Sequence, residues 1–385
     1  MKLLHLGDLH LGRSLGEFDL IEDQKYILNQ ILRIIEDHSV DAVLIAGDVY
    51  DKSTPSEAAT NLLDYFLTCL ADKNIKTFMI SGNHDSDDRL NYAKQFFANR
   101  NIFISSVFNG NLDKYTVNDG ANNVNIYLLP FIKASQVRHF YPDSDIESYE
   151  DAVKAVIDNA EIDKKKCNIL VAHQFVAGKG EDPAFGGSES TATQNVGLVE
   201  KIGTNCFSMF DYVALGHIHS PQRVGRDEIR YSGSPLKYSL SEVNNDKSVP
   251  IITIKDKKGV DIELVSLKPM RDMRHIKGQI KELLNKKNVK SPGDFIYATL
   301  TDEDIVNDAM GAFQQVYPYT VKIDYENSHT KELEQVDISR IAENRSFTDL
   351  ISDFYKMMYG CEISKEEMDV IKDAAREAGV INETN

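Results

Sequence analysis

The chain contains no run of about 18 apolar residues, so nothing in it has the pattern of a membrane-crossing helix. The apolar stretch at its start, Met1–Asp8, is broken by His5 and Asp8 and is too short for a secretory signal. A cytoplasmic protein is therefore expected. Cysteine is scarce: Cys69, Cys167, Cys206 and Cys361 lie far apart with no CxxC pair, which excludes a disulfide framework and a thiolate zinc site. Excess positive charge is also missing. The formal net charge of −17 argues against a protein that holds nucleic acid by bulk electrostatics alone. It leaves open a local basic groove, metal ions or a partner as the means of holding DNA.

The 385 residues are too many for one small domain, and with 42% hydrophobic residues they can build a sizeable core. Short apolar runs alternate with helix-like segments over the first 267 residues. Lys2–Gly7, Asp41–Gly47 and Lys76–Ser81 have the pattern of buried strands, and Leu20–His38, Ser56–Leu70 and Asp88–Ala98 that of helices. Strand-like runs follow at Asn125–Leu129, Asn168–Ala172, Tyr212–Leu215, Ile229–Tyr231, Val249–Ile254 and Asp261–Leu267, interrupted by a helix near Asp151–Ala160. The fold class expected is α/β: two sheets packed face to face and flanked by helices. Gly178–Gly197 has the composition of a loop.

Composition shifts at Lys268. From there to Asp294 eight Lys and Arg outnumber three Asp and Glu, so this segment is either a phosphate-contacting face or a solvated one. A strand–helix–strand pattern (Phe295–Leu300, Ile305–Val316, Thr320–Asp324) then suggests a small α/β capping domain over 268–330. In 331–385, Phe347, Leu350, Ile351, Phe354, Tyr355 and Met358 share one helical face, and Ser364 with Glu367 forms a capping-box pattern for a second helix to about Ala378.

Five polar clusters each follow a strand-like run: Gly7-Asp8-Leu9-His10, Gly47-Asp48-Val49-Tyr50-Asp51, Gly82-Asn83-His84-Asp85, Ala172-His173-Gln174 and Gly216-His217-Ile218-His219. Loops after the carboxyl ends of parallel strands gather on one edge of a sheet, so the clusters should converge. Asp8 with His10, and His217 with His219, would share a face if the backbone there were extended. A leading glycine would let the chain turn sharply out of the sheet. Taken one at a time, such clusters are ordinary turns. Together they hold five of the ten histidines, which favours a shared site over chance. Asp, His and Asn without thiolate suit manganese, iron or zinc in an open site. Seven candidate ligands (Asp8, His10, Asp48, Asn83, His173, His217, His219) are too many for one tetrahedral ion, and suit two ions sharing a carboxylate.

The ordered series GDLH, GDVYD, GNHD, AHQ, GHIH resembles the calcineurin-like metallophosphoesterase family. The resemblance implies a two-sheet sandwich with a dinuclear centre. Asp8, His10, Asp48 and His219 would hold one ion, and Asp48, Asn83, His173 and His217 the other, with Asp48 bridging. It also implies that His84 is no ligand but assists the leaving oxygen, oriented by Asp51. The longer strings GDLHLGRSL, GDVYDKSTPSEAA, DYVALGHIHSPQ and IRYSGSPLKYSLSE are similar to the DNA nucleases of that family. For these the implied properties are two manganese ions and cleavage of double-stranded DNA ends and hairpins. The implied assembly is a homodimer inside a heterotetramer with a coiled-coil ATPase, on which the C-terminal helices would dock. Two other enzyme readings compete. Lys52-Ser53 after Asp51 stands where a protein phosphatase of the family places Arg-Gly, and the chain is long for a minimal small-molecule phosphodiesterase. A non-catalytic scaffold predicts lost ligands, and a pure DNA-end-binding module would leave the metal set unused.

Overall fold

The computed structural model describes residues 1–118, 120, 123–178, 183–184, 201–255, 259–328, 347–359 and 363–377. The Gly178–Gly197 loop lies almost wholly outside them, as do 329–346 and Ala378, where the last helix is expected to end.

Two six-stranded sheets form the body. The first has the order Val260–Ser266, Ser248–Ile254, Lys2–Leu6, Ala42–Ala46, Lys76–Ile80, Ile102–Ser105. Its last four strands are parallel, and Lys2–Leu6 pairs antiparallel with Ser248–Ile254 through Leu3 and Ile252. The second has the order Gln222–Val224, Arg226–Tyr231, Tyr212–Gly216, Cys167–His173, Asn123–Leu129, Asp113–Asn118, with four parallel strands between antiparallel edges. The expected two-sheet α/β sandwich is present, and its sheets are mixed.

Strand alternation explains the layering, because successive side chains point to opposite faces. Leu3, Ala42, Leu44 and Phe78 meet Ile126, Leu128, Ile169, Val171 and Ala214 in one apolar layer between the sheets. Leu4, Val43, Ile45 and Met79 face the other way and are covered by the helices Ile21–Asp37 and Glu57–Asp72. Leu170, Ala172, Val213 and Leu215 line the outer face of the second sheet, under the helices Ala134–Phe140 and Tyr149–Asp158. The helices start where their caps dictate: Ser56 Oγ accepts from the Ala59 amide at 3.2 Å, and Ser148 with Asp151 closes a capping box. The segment expected as one helix over Asp88–Ala98 is two, Asp87–Asn91 and Lys94–Ala98. Ala93 adopts a left-handed φ of 56° between them, which an α-helix does not accommodate.

The basic segment opens a three-stranded sheet, Met273–Gly278, Phe295–Leu300, Thr320–Tyr325. The helix expected over Ile305–Val316 is confined to Ala309–Gln314, capped by Asp308. By contacts the chain divides into one unit of Met1–Thr299 with Asp308–Asp324 and a second of Leu300–Asn307 with Tyr325–Asn385. The second unit carries the helices Phe347–Tyr359 and Lys365–Glu377. The latter is opened by the expected capping box, in which Ser364 Oγ accepts from the Glu367 amide at 3.3 Å and Glu367 Oε2 from the Ser364 amide at 2.9 Å. No helix among the described residues is long and apolar enough to cross a membrane.

Candidate metal centre

All five clusters leave the carboxyl ends of parallel strands, three from the first sheet and two from the second. The sheet edges meet closely there, and the glycines permit it. A Cβ on Gly216 would sit 1.9 Å from the Ala46 carbonyl oxygen, and one on Gly82 would sit 2.1 Å from Asp48 Oδ1. Gly47 combines a φ of 81° with a Cβ position 2.5 Å from His173 Nδ1. The glycines thus serve close approach more than turning.

The positive φ values fall largely on the polar residues themselves: 53° at Asp8, 43° at His10, 47° at Asp48 and 102° at His217. The expectation of extended backbone at Asp8 with His10, and at His217 with His219, is therefore corrected: Asp8 and His10 sit in the left-handed region and His217 also has a positive φ, a strained choice typical of functional loops. Tertiary bonds hold this backbone. The His10 and Leu11 amides donate to the carbonyls of Asp48 and Val49 at 2.9 Å. Asp85 accepts from the amides of Tyr50, Gly82 and Val49 at 2.9, 2.9 and 3.1 Å, tying the second and third clusters together. Gln24 Nε2 donates to the His10 carbonyl at 2.7 Å.

All seven candidate ligands come together. His10 Nε2 faces His219 Nε2 at 3.0 Å. Asp48 Oδ2 lies 3.5 Å from His10 Nε2 and 3.4 Å from His173 Nε2, so one carboxylate oxygen stands between two groups. Asn83 Oδ1 lies 3.1 Å from His173 Nε2 and 3.0 Å from His217 Nδ1. The Asp8 carboxylate accepts from the His217 amide at 2.9 Å. Asp8 groups with His10 and His219, and also with Asp48 and His173, ligand atoms within 4.8 Å of one another in each case.

Two divalent ions fit this donor set. Two imidazole nitrogens facing at 3.0 Å require a shared proton or a cation. Burial holds His10 down to about 4 and His217 down to about 3, keeping both imidazoles in the neutral form a metal needs. Burial alone would raise Asp48, but the attraction of His173 and His10 outweighs it and leaves the carboxyl well below its usual range. Burial pushes Asp8 up to about 6, against the attraction of His173 and His219 and the hydrogen bond from the His217 amide.

His84 stands beside this set, its ring edge-on to His10 at 4.9 Å between centroids. It meets the expected residue, Asp51, but through the backbone and not through the carboxylate. His84 Nδ1 lies 3.1 Å from the backbone oxygen of Asp51. The Asp51 carboxylate turns instead to Arg13 Nη1 at 2.8 Å and to His10 Nδ1 at 3.6 Å. Sequence reasoning missed further residues around the site: Arg13, Gln24, Tyr238, Glu242 and Lys247. The Tyr238 hydroxyl donates to the Leu9 carbonyl at 2.6 Å, and Glu242 Oε1 lies 3.6 Å from His219 Nδ1. Glu242 and Lys247 carried no usable signal, because charged residues in a polar loop look solvated, yet both are buried.

The basic segment is partly neutralised from within. Arg271 forks onto Asp23, with Nη2 to Oδ2 at 2.6 Å, and Arg274 Nε pairs with Asp294 at 2.8 Å.

The chain is similar to known proteins over most of its length. Residues 1–221 match the model of the calcineurin-like phosphoesterases, and residues 269–359 match that of the "Type 5 capsule protein repressor C-terminal domain". The chain is 34% identical over 377 residues to the D subunit of the SbcCD nuclease of Staphylococcus epidermidis, covering 97% of each. Two solved structures are weakly similar. A dimetal phosphatase from Danio rerio has a TM-score of 0.40 and 11% identity, covering 69% of this chain and 99% of that one. TT1561 of Thermus thermophilus has a TM-score of 0.39 and 10% identity, covering 68% and 98%.

Proposed function

The chain belongs to the calcineurin-like phosphoesterase family, and from that premise we propose that it is a manganese-dependent DNA nuclease working with an SbcC-type coiled-coil ATPase. The observation that carries the reading is the single oxygen, Asp48 Oδ2, set between His10 and His173 inside a chain related end to end to a nuclease subunit. Cleavage of double-stranded DNA ends, and of hairpins and single strands within DNA, is the activity assigned.

Asp8, His10, Asp48 and His219 would hold one ion, and Asp48, Asn83, His173 and His217 the other. Ions there would supply Lewis acidity toward the phosphoryl oxygens and activate the attacking water. The rest falls to the chain. With Nδ1 engaged by the Asp51 carbonyl, His84 keeps Nε2 available, and its imidazolium form donates a proton from there to the leaving oxygen. Asp51 fixes that imidazole through its backbone. The strained loops hold the donors in place before substrate arrives.

Three working parts follow: a phosphoesterase part (1–267), a cap (268–330) whose remaining lysines face the DNA backbone, and a C-terminal part (331–385) that docks on the ATPase. Phe354, 57% exposed on Phe347–Tyr359, supports docking there. Tyr92 and Phe96, 80% and 71% exposed near Asp87–Ala98, support a homodimer contact. The complex is assigned to the cytoplasm.

The test is cleavage of linear double-stranded DNA with manganese, magnesium or chelator, beside a chromogenic phosphodiester and phosphomonoester. Manganese-dependent DNA cleavage that disappears in His84→Gln supports the nuclease. Hydrolysis of the small esters with DNA left intact, even with the ATPase present, would move the function to small molecules.

A further inference from the structure

We propose that Glu242 and Asp51 are positioning residues that aim His219 and His10 at one of the two ions, a charged backing that His173 at the other ion lacks among the described residues. The inference rests on the two-ion reading of the site and concerns what lies behind it.

His10 and His219 turn their Nε2 atoms toward each other at 3.0 Å, which leaves each Nδ1 on the far side of its ring. Behind His219 Nδ1 stands Glu242 Oε1 at 3.6 Å, and behind His10 Nδ1 stands Asp51 Oδ1 at 3.6 Å. Each carboxylate is itself held by a cation. Lys247 Nζ is 2.6 Å from Glu242 Oε2, and Arg13 Nη1 is 2.8 Å from Asp51 Oδ1. Lys247 also donates to the His219 carbonyl and to Ser234 Oγ, both at 2.9 Å, so one ammonium fixes the backbone of the ligand and the carboxylate behind it.

The other position is backed differently. His173 Nδ1 meets the Ala46 carbonyl at 2.7 Å, a neutral partner behind the ring, whereas His217 turns its Nδ1 to Asn83 Oδ1, its fellow ligand at that position. A carboxylate 3.6 Å behind an imidazole, beyond hydrogen-bond distance, still favours the proton on Nδ1 through its charge and leaves the Nε2 lone pair free and more basic, whereas a hydrogen-bonded carbonyl fixes the tautomer with less effect on basicity. The two ions therefore experience different histidines.

A purely structural account competes with this one. A buried Glu–Lys pair can be a core staple and nothing more, and such pairs are often replaceable by apolar residues without loss of stability. The two accounts part when both charges are removed together.

Manganese is titrated calorimetrically into the full chain after removal of metal with a chelator. The wild type is expected to take up two ions. Glu242→Gln and Asp51→Asn should each leave one ion unchanged and weaken the other by about 10–100-fold. Glu242→Gln/Lys247→Met should recover the thermal midpoint lost in the single variant and keep the metal defect. Wild-type affinity for both ions in that double variant would make Glu242 a staple and overturn the proposal. Two unchanged ions in folded Glu242→Gln and Asp51→Asn would overturn it equally. Should Glu242→Gln not fold, Asp51→Asn carries the test, since its side chain is partly exposed. A wild-type chain that binds fewer than two ions would sink the two-ion reading as well, whereas two ions indifferent to these changes sink only this inference.

Discussion

The imidazole Nδ1 of His84 lies 3.1 Å from the backbone oxygen of Asp51, and a backbone oxygen survives any substitution of the side chain. Two neighbouring variants should therefore fail in different ways. His84→Gln should lower turnover of a phosphodiester by about 10²–10⁴ with metal uptake nearly intact. Asp51→Asn should lose less, and excess manganese should restore most of it, because the lost carboxylate faces His10. A defect in Asp51→Asn that no manganese concentration relieves would place that carboxylate in proton transfer after all.

Asp48 offers one oxygen to two groups, at 3.5 Å from His10 and 3.4 Å from His173. Asp48→Asn keeps the shape and removes the shared charge. Manganese affinity should fall on the order of 100-fold or more, beyond the usual effect of an outer-shell change. Metal analysis of the purified variant checks this, and full occupancy would refute the bridge.

Gly216 has no room for a methyl group, since its Cβ would stand 1.9 Å from the Ala46 oxygen. Gly216→Ala must push the two sheet edges apart where Gly216 meets Ala46 and His173. A stability loss of about 1–3 kcal/mol or more is expected, together with weaker metal binding. Denaturant unfolding with an unchanged midpoint would contradict the close approach.

His5 is buried between the sheets, with Nδ1 3.0 Å from the Tyr212 hydroxyl. Burial, with the charge of Arg230 adding to it, brings the imidazole down to about 3. The unfolded chain thus binds this proton first as pH falls. His5 leaves stability untouched above its ordinary value of about 6.5, and below it costs roughly 1.4 kcal/mol per pH unit until the folded form also protonates. His5→Gln removes the titration. The stability difference between variant and wild type should therefore change with pH between about 6 and 4 in the variant's favour. Parallel curves would show that His5 does not contribute.

Arg271 forks onto the buried Asp23 and lies over the Tyr319 ring at 4.6 Å from its centroid. Arg271→Ala leaves Asp23 charged and without this partner, at an expected cost of about 3–5 kcal/mol. Urea titration measures it. A change near zero would mean that water already screens the pair.

Much of the site was legible because its information is local. A glycine and an acid or histidine directly after a buried strand are neighbours in sequence, and parallel strands bring such ends to one edge. The series of clusters therefore located all seven candidate ligands and His84. The alternation of Leu3 with Leu4, and of Leu44 with Val43, likewise announced strands covered on both faces. The single helix expected over Asp88–Ala98 was misjudged for a local reason of another kind. Its composition favours a helix, and only the left-handed turn at Ala93 interrupts it.

By itself the sequence determined which chemistry the chain carries: which donors, in which order, at the ends of which strands. Tertiary structure alone decided how those donors are held. The left-handed backbone at Asp8 and His10 is stabilised by bonds to the Asp48 loop, about forty residues away in the chain. The Asp8 carboxylate accepts the amide of His217, and Tyr238 reaches Leu9, each across more than two hundred residues. Glu242 and Lys247 are close in the chain, but only tertiary packing buries them as an ion pair behind His219 and removes the water that would otherwise screen them. Strand and helix patterns follow from neighbours in sequence, whereas a buried charge finds its partner only once the layers have packed.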